Sequence, residues 1–188
     1  VGIIRRTAAA LLCSAATSTT ALAQQPDNQA VYFRAVADFF KLSPTEVSIL
    51  ADWELPADEI PVVLFVAHHA GVSPEALVAL RSSGKSWTDL SRRYQVDASA
   101  FYVPLPDTAD AGILAAAYGR YRALPAARWG EVTLSDRDIV ALVNVRILAQ
   151  TLRRAPEDVI RACRDGRSFV DVFASLLRDA ELHPPSRE

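Results

Sequence analysis

The chain is punctuated as a string of short helices, and that punctuation limits its fold more than any other feature. Ser43-Pro44-Thr45-Glu46 combines a capping serine, a proline at the first helical position and a glutamate three residues after the cap. Ser73-Pro74-Glu75 repeats the Ser-Pro start, and Ser86-Trp87-Thr88-Asp89, Ser135-Asp136-Arg137-Asp138 and Ser168-Phe169-Val170-Asp171 each place an acid three residues after a serine. Gly71, Gly84 and Gly166 stand where helices would stop. Between these marks the chain is rich in Ala, Leu, Val and Arg, with only seven glycines, which favours helix.

The expected fold is therefore all-α, a compact multi-helix domain. Its helices are predicted near 30–41, 44–51, 58–70, 74–82, 87–94, 110–122, 136–152, 156–164 and 169–179. The run Ile60-Pro61-Val62-Val63-Leu64-Phe65-Val66-Ala67 has the composition of a buried strand. The acids Asp58 and Glu59 before it and Gly71 after it bracket more than ten residues, so it is read as a helix, and its near-continuous apolarity makes it a central one. Residues 139–148 have the same character.

An internal repeat supports this plan. Ser43-Pro44-Thr45-Glu46-Val47, Ser73-Pro74-Glu75-Ala76-Leu77 and Ala155-Pro156-Glu157-Asp158-Val159 share a pattern, and the same spacing brings Glu59-Ile60, Asp89-Leu90 and Asp171-Val172 into register. The expectation is two related three-helix units, about 24–104 and 110–182, with an N-terminal half-unit; residues 98–108 and 123–134 are connectors. Two clear copies fall short of a solenoid, which needs three or more.

The N-terminus bears on compartment. Arg5-Arg6 is a short basic start, residues 7–16 are small and apolar, and Ala21-Leu22-Ala23 ends the stretch with small residues at the two positions that a signal peptidase reads. Residues 1–23 are expected to be a secretory signal, leaving a helical domain over 24–182 and a disordered tail over 183–188. The apolar run is too short to span a membrane. Loss of the signal would remove two arginines and no acid, taking the formal net charge from −2 to about −4. That balance provides no whole-molecule attraction to nucleic acid or anionic lipid. It would also leave Cys163 without an internal disulfide partner, since Cys13 lies in the signal.

The segment Ala79-Leu80-Arg81-Ser82-Ser83-Gly84-Lys85-Ser86-Trp87-Thr88-Asp89-Leu90-Ser91-Arg92-Arg93-Tyr94-Gln95-Val96 resembles, over about twenty residues, the helix-turn-helix segment of recombinases and small transcription factors. That likeness implies a recognition helix after Val96, presenting basic and polar residues to base edges. Asp97-Ala98-Ser99-Ala100-Phe101-Tyr102-Val103-Pro104 departs from it, being short, uncharged after Asp97 and closed by proline. A helical hairpin with Leu77, Leu80, Trp87 and Leu90 in the core accounts for the same residues.

Two further places merit attention. Lys85 beside the Ser86 helix start, and Arg167 beside Ser168, put a cation next to exposed amides that could hold an anion, although capping explains them as well. Tyr118, Arg120, Tyr121, Arg128 and Trp129 concentrate the residue types that carry recognition hot spots, and the same rings could instead plug the seam between the units. His68-His69 is a poor chelate, since adjacent helical side chains diverge by about 100°, and no metal or cofactor is expected. Neither a serine elbow, a zinc motif, a Cys-His pairing nor a phosphate loop is present. The expectation is an exported bacterial helical protein, non-enzymatic, binding a protein or cell-envelope polymer. The opposing possibility is a DNA-binding regulator with a misread N-terminus.

Overall fold

The computed structural model describes residues 27–164 and 166–182; the expected signal with its cleavage point near Ala23, and the expected tail, lie outside them. The described residues form ten α-helices and no strand: α1 (Asn28–Phe40), α2 (Pro44–Leu50), α3 (Ile60–Ala70), α4 (Pro74–Ser82), α5 (Trp87–Arg93), α6 (Ala98–Phe101), α7 (Ala115–Arg122), α8 (Asp136–Leu152), α9 (Pro156–Ala162) and α10 (Phe169–Leu182). The fold is all-α, and the Val-rich run is the helix α3. None of these helices is long and apolar enough to cross a membrane.

At the centre α3 packs on α8, and α8 also touches α1, α5, α6, α9 and α10. Every residue from Ile60 to Ala67 is buried, as are Ile139, Leu142, Val145 and Leu148 on α8 with neighbours on nearly every side. Helices apolar all round can exist in water only when other helices surround them. One continuous buried cluster runs from Tyr32 to Leu176, and both of the expected related units contribute to it.

The sequence repeat has a backbone counterpart. Lys41, Gly71 and Arg153 are left-handed residues ending α1, α3 and α8. The amide following each, at Leu42, Val72 and Arg154, bonds back to the carbonyl of Ala37, Ala67 and Ala149 at 2.9, 3.2 and 2.9 Å, the 6→1 bond of a Schellman end. A proline then opens α2, α4 and α9, and Glu54, Gly84 and Gly166 are left-handed again after those helices. The N-terminal half-unit is thus completed by α3, which serves as third helix of the first copy and first helix of the second.

The boundaries differ from expectation where loops contain their own caps. Residues 110–122 are divided into a 3-10 turn (Gly112–Leu114) and α7. Gly112 has φ 45°, the Asp110 carboxylate accepts its amide at 2.9 Å, and a Cβ there would lie 2.8 Å from Ile160 Cγ2. The first connector contains α6, which Asp97 starts by accepting the Ser99 amide. The second contains a 3-10 turn (Ala126–Glu131).

A polar tie crosses the core. Asn144 is fully buried on α8. Its Oδ1 accepts a short hydrogen bond from the Tyr32 hydroxyl of α1, and its Nδ2 donates to the carbonyls of Asp58 and Val140, each at 2.8 Å. Replacing Asn144 with Leu leaves the Tyr32 hydroxyl and the Asp58 carbonyl enclosed and unpaired. The expected cost is about 2–6 kcal/mol, counting roughly 1–3 per orphaned group. Tyr32→Phe in the Asn144→Leu background should then cost less than it does in the native chain, because one orphan is removed. Urea unfolding of the four proteins of this cycle measures both values.

Candidate functional site

The aromatic and arginine residues around the second connector are brought together, and their polar atoms are spent on the backbone. Tyr118 and Tyr121 project from one face of α7, three residues apart, and both are buried. The Tyr121 hydroxyl donates to the Ala98 carbonyl at 2.6 Å, the Tyr118 hydroxyl to the Val103 carbonyl by a short bond. Arg146 of α8 donates to the carbonyls of Ala100 and Tyr102 at 2.9 and 2.7 Å. These three side chains satisfy carbonyls within α6 and just after it, a helix too short to pair its own. Trp129 does the same for α7, its indole N–H lying 3.0 Å from the Tyr121 carbonyl and 3.3 Å from that of Leu124. Tyr102 packs against Trp129 with ring centroids 3.9 Å apart. Burial pushes the Tyr118 and Tyr121 phenols up, well above their ordinary range, and the Arg146 guanidinium down.

The other members of this group sit outside the ring cluster. Arg120 reaches Asp138 at 2.6 Å, and that carboxylate also accepts the Ser135 amide at 2.9 Å in the capping box of α8. Arg128 forks onto Glu131 at 2.9 and 2.6 Å on the exposed 3-10 turn. Tyr118, Tyr121 and Trp129 therefore hold the seam, while Arg128 is exposed and Arg120 and Trp129 are half-buried.

The glycine turns do seat anions at the helix starts, and the anions belong to the chain. At the start of α5, the Thr88 amide donates to Asp136 Oδ1 at 3.1 Å and the Asp89 amide to Ser86 Oγ at 3.0 Å. At the start of α10, the Phe169 amide donates to both oxygens of Asp58 at 3.1 Å, and the Asp171 amide to Ser168 Oγ at 3.1 Å. An external anion would have to displace a carboxylate that already answers the positive helix end. Lys85 and Arg167 are exposed. The Lys85 carbonyl accepts from Arg81 at 3.0 Å, and Arg167 donates to the Ala162 carbonyl at 2.8 Å. Arg167 also borders a cavity of about 430 Å³ shared with Arg137, Arg164 and Asp58.

Arg81 ties the first glycine turn to its surroundings. It forks onto Glu59 at 2.7 and 2.8 Å, reaches Asp136 at 3.1 Å, and lies over the Trp87 ring at 5.4 Å. The Trp87 indole donates to the same Glu59 at 3.0 Å. The turn Ala57–Glu59, α4, α5 and the start of α8 are joined by this one guanidinium. Cys163 is buried, which pushes its thiol up to about 11. His69 stacks on Phe65 at 4.1 Å with Nδ1 2.9 Å from the Phe65 carbonyl, and His68 is exposed. No group of three or more His, Cys, Asp or Glu placed to hold a metal occurs among the described residues.

An open groove of about 310 Å³ lies beside α5. One wall is polar: Thr88, Ser91 and Arg92 share one face of α5, and Gln95 follows just beyond its end. The other is the stretch from Gly130 to Leu134, and Phe101 and Ile139 contribute to the floor. The helix-turn-helix likeness drew attention to this segment for its turn and its basic residues; the polar wall was a visible signal, but only the opposite wall, some forty residues later, makes it concave. Comparison of the chain with family models, curated proteins and solved structures finds no match.

Two outcomes follow from these contacts. Tyr121→Phe leaves the Ala98 carbonyl unpaired and should cost about 1–3 kcal/mol, whereas Arg128→Ala, at an exposed ion pair, should leave the unfolding temperature nearly unchanged; thermal unfolding compares them. Burial raises the Asp58 carboxyl above its ordinary value despite the amides it accepts. The folded chain thus holds that proton more tightly than the unfolded chain. Stability from this group is complete below the unfolded value and is lost as pH rises through the raised one. The stability of the native chain relative to Asp58→Asn should therefore increase as pH falls from 7 towards 4, measured by urea unfolding at each pH.

Proposed function

We propose that this chain is an exported, non-enzymatic helical module of a bacterial envelope that binds a protein or an envelope polymer. The observation that carries this reading is how its reactive-type side chains are used. Asp58, Asp136 and Asp138 hold helix starts, Glu59 holds Arg81 and Trp87, and Tyr118, Tyr121 and Arg146 hold carbonyls. Such commitments build a rigid scaffold, and the concave surface they leave is the groove beside α5. Export rests on the basic, apolar and A-x-A order of residues 5–23.

The DNA-binding alternative draws on the helix-turn-helix likeness, and α4, α5 and α6 do follow one another through tight turns. Against it, α6 is four residues long with Ala98 and Phe101 buried. A helix so short and so enclosed presents no face to a major groove.

The two readings separate in the native host. Fractionation and intact mass should find the chain outside the cytoplasm and beginning at Gln24, and the purified protein should leave duplex DNA unretarded at low salt, where phosphate contacts are strongest. A cytoplasmic, unprocessed chain that retards DNA with a steep salt dependence would reverse the assignment.

A further inference from the structure

The two copies of the repeat differ at one charged pair. Gly71 and Arg153, Pro74 and Pro156, and Gly84 and Gly166 each stand 82 residues apart and occupy matching helix ends and starts. Leu77 with Val159, and Trp87 with Phe169, match at the same interval, and all four are buried. On that register Glu59 and Arg81 of the first copy correspond to Ala141 and Cys163 of the second. In the first copy the pair forks together at 2.7 and 2.8 Å and links the hairpin to the start of α3. In the second copy two small side chains stand there, and the cavity of about 430 Å³ borders both. Gly166, Arg167 and Phe169, the counterparts of Gly84, Lys85 and Trp87, border it too.

The change also leaves a carboxylate without a cation. Asp136, lent to the first hairpin by α8, pairs with Arg81 at 3.1 Å. Asp58, lent to the second hairpin from the start of α3, borders the cavity, is half-buried and has no ion-pair partner among the described residues. Burial raises its carboxyl against the pull of the Phe169 and Val170 amides, and the acids Asp171 and Glu59 add to the rise. The other acids on the cavity wall, Glu59 and Asp136, are both taken by Arg81. Three arginines share the wall: Arg164 is paired with Asp110, Arg167 donates to the Ala162 carbonyl, and Arg137 has no partner among the described residues. Ile113, 37% exposed, and half-buried Val140 give it accessible apolar surface.

We propose that this cavity binds a small zwitterion: a guanidinium or ammonium head and a carboxylate joined by a short apolar stem, as in an ω-guanidino or ω-amino acid. Such a ligand brings both of the charges that the second copy lacks. Its head pairs with Asp58 as Arg81 pairs with Asp136, its stem lies along Ile113 and Val140, and its carboxylate meets Arg137 and Arg167. A cation alone is opposed by the three arginines, and an anion alone by Asp58. The volume falls in the range of small-molecule sites, roughly 300–1,000 Å³. This site is separate from the groove beside α5 and goes beyond the binding-module reading without depending on it.

The test is an amide-resolved NMR titration of the full chain with 4-guanidinobutyrate, and with butylguanidinium and butyrate as single-charge controls. The zwitterion should shift the amides of Ala141, Gly166, Arg167 and Phe169 saturably, and bind about tenfold tighter than either control. Asp58→Asn removes the charge and keeps an acceptor for the Phe169 amide; it should weaken the zwitterion about tenfold. Arg137→Ala should leave Tm unchanged and weaken the zwitterion about three- to tenfold. Ala141→Glu combined with Cys163→Arg writes the charged pair of the first copy into the second; the helical circular dichroism should persist and the response should vanish. The proposal is overturned if no probe moves these amides, if shifts are confined to another surface, if either control binds as tightly as the zwitterion, or if the double variant folds and still responds. If the double variant does not fold, the single variants decide: weakened binding in both upholds the site, and undiminished binding in either overturns it.

Discussion

The arrangement of the helices depends on one buried amide. Asn144 sits at zero exposure in the middle of α8, and its oxygen and both hydrogens are used: Tyr32 of α1 donates to it, and it donates to Asp58 before α3 and to Val140 one turn back. An apolar residue there would pack, but it would tolerate several placements of α1 against α8. The amide accepts one, because any slip leaves polar atoms unpaired where burial shuts them off from solvent. Asp58 extends the tie, since its carboxylate takes the Phe169 amide and so places α10. Four parts of the chain are thereby positioned through a few connected side-chain contacts.

The same economy appears at the repeated turns. The third helix of the second copy, α5, is capped by Asp136 from the start of α8; the third helix of the last copy, α10, is capped by Asp58 from the start of α3. Each central helix thus lends a carboxylate to the hairpin of the other copy. A repeat held by exchanged caps cannot be divided into independent halves, which agrees with the single continuous core. Lys41, Glu54, Gln95 and Arg153 adopt left-handed backbone without glycine's freedom, a strain that the repeated helix ends accept in return for their hydrogen bonds.

Much of the candidate chemistry takes on a mechanical meaning in this light. The tyrosines of α7 look like a recognition cluster because recognition and packing call on the same properties: a large ring with a polar tip. Here the tips reach carbonyls that α6 leaves open. The anion sites at the glycine turns are real as electrostatic features, and internal carboxylates occupy them. What the scaffold leaves concave is the groove between α5 and the stretch before α8.

Local information was legible in the sequence. Ser-Pro starts, capping acids and terminal glycines act within one or two helical turns, so they mark most helix ends without knowledge of the rest, and the repeat of prolines and acids is equally local. The division at Gly112 was hidden, because its reason is the side chain of Ile160 close against it. The cap partners of α5 and α10 were hidden as well, lying 48 and 111 residues away in the chain. So was the groove, whose walls are α5 and the last residues of the second connector. The sequence by itself determined that the chain would be helical and where its helices would begin, since those energies are set by neighbours along the backbone. Only the tertiary structure decided which tyrosines, arginines and carboxylates are spent on holding the fold and which remain available, because that depends on whose backbone groups each side chain meets once the helices pack.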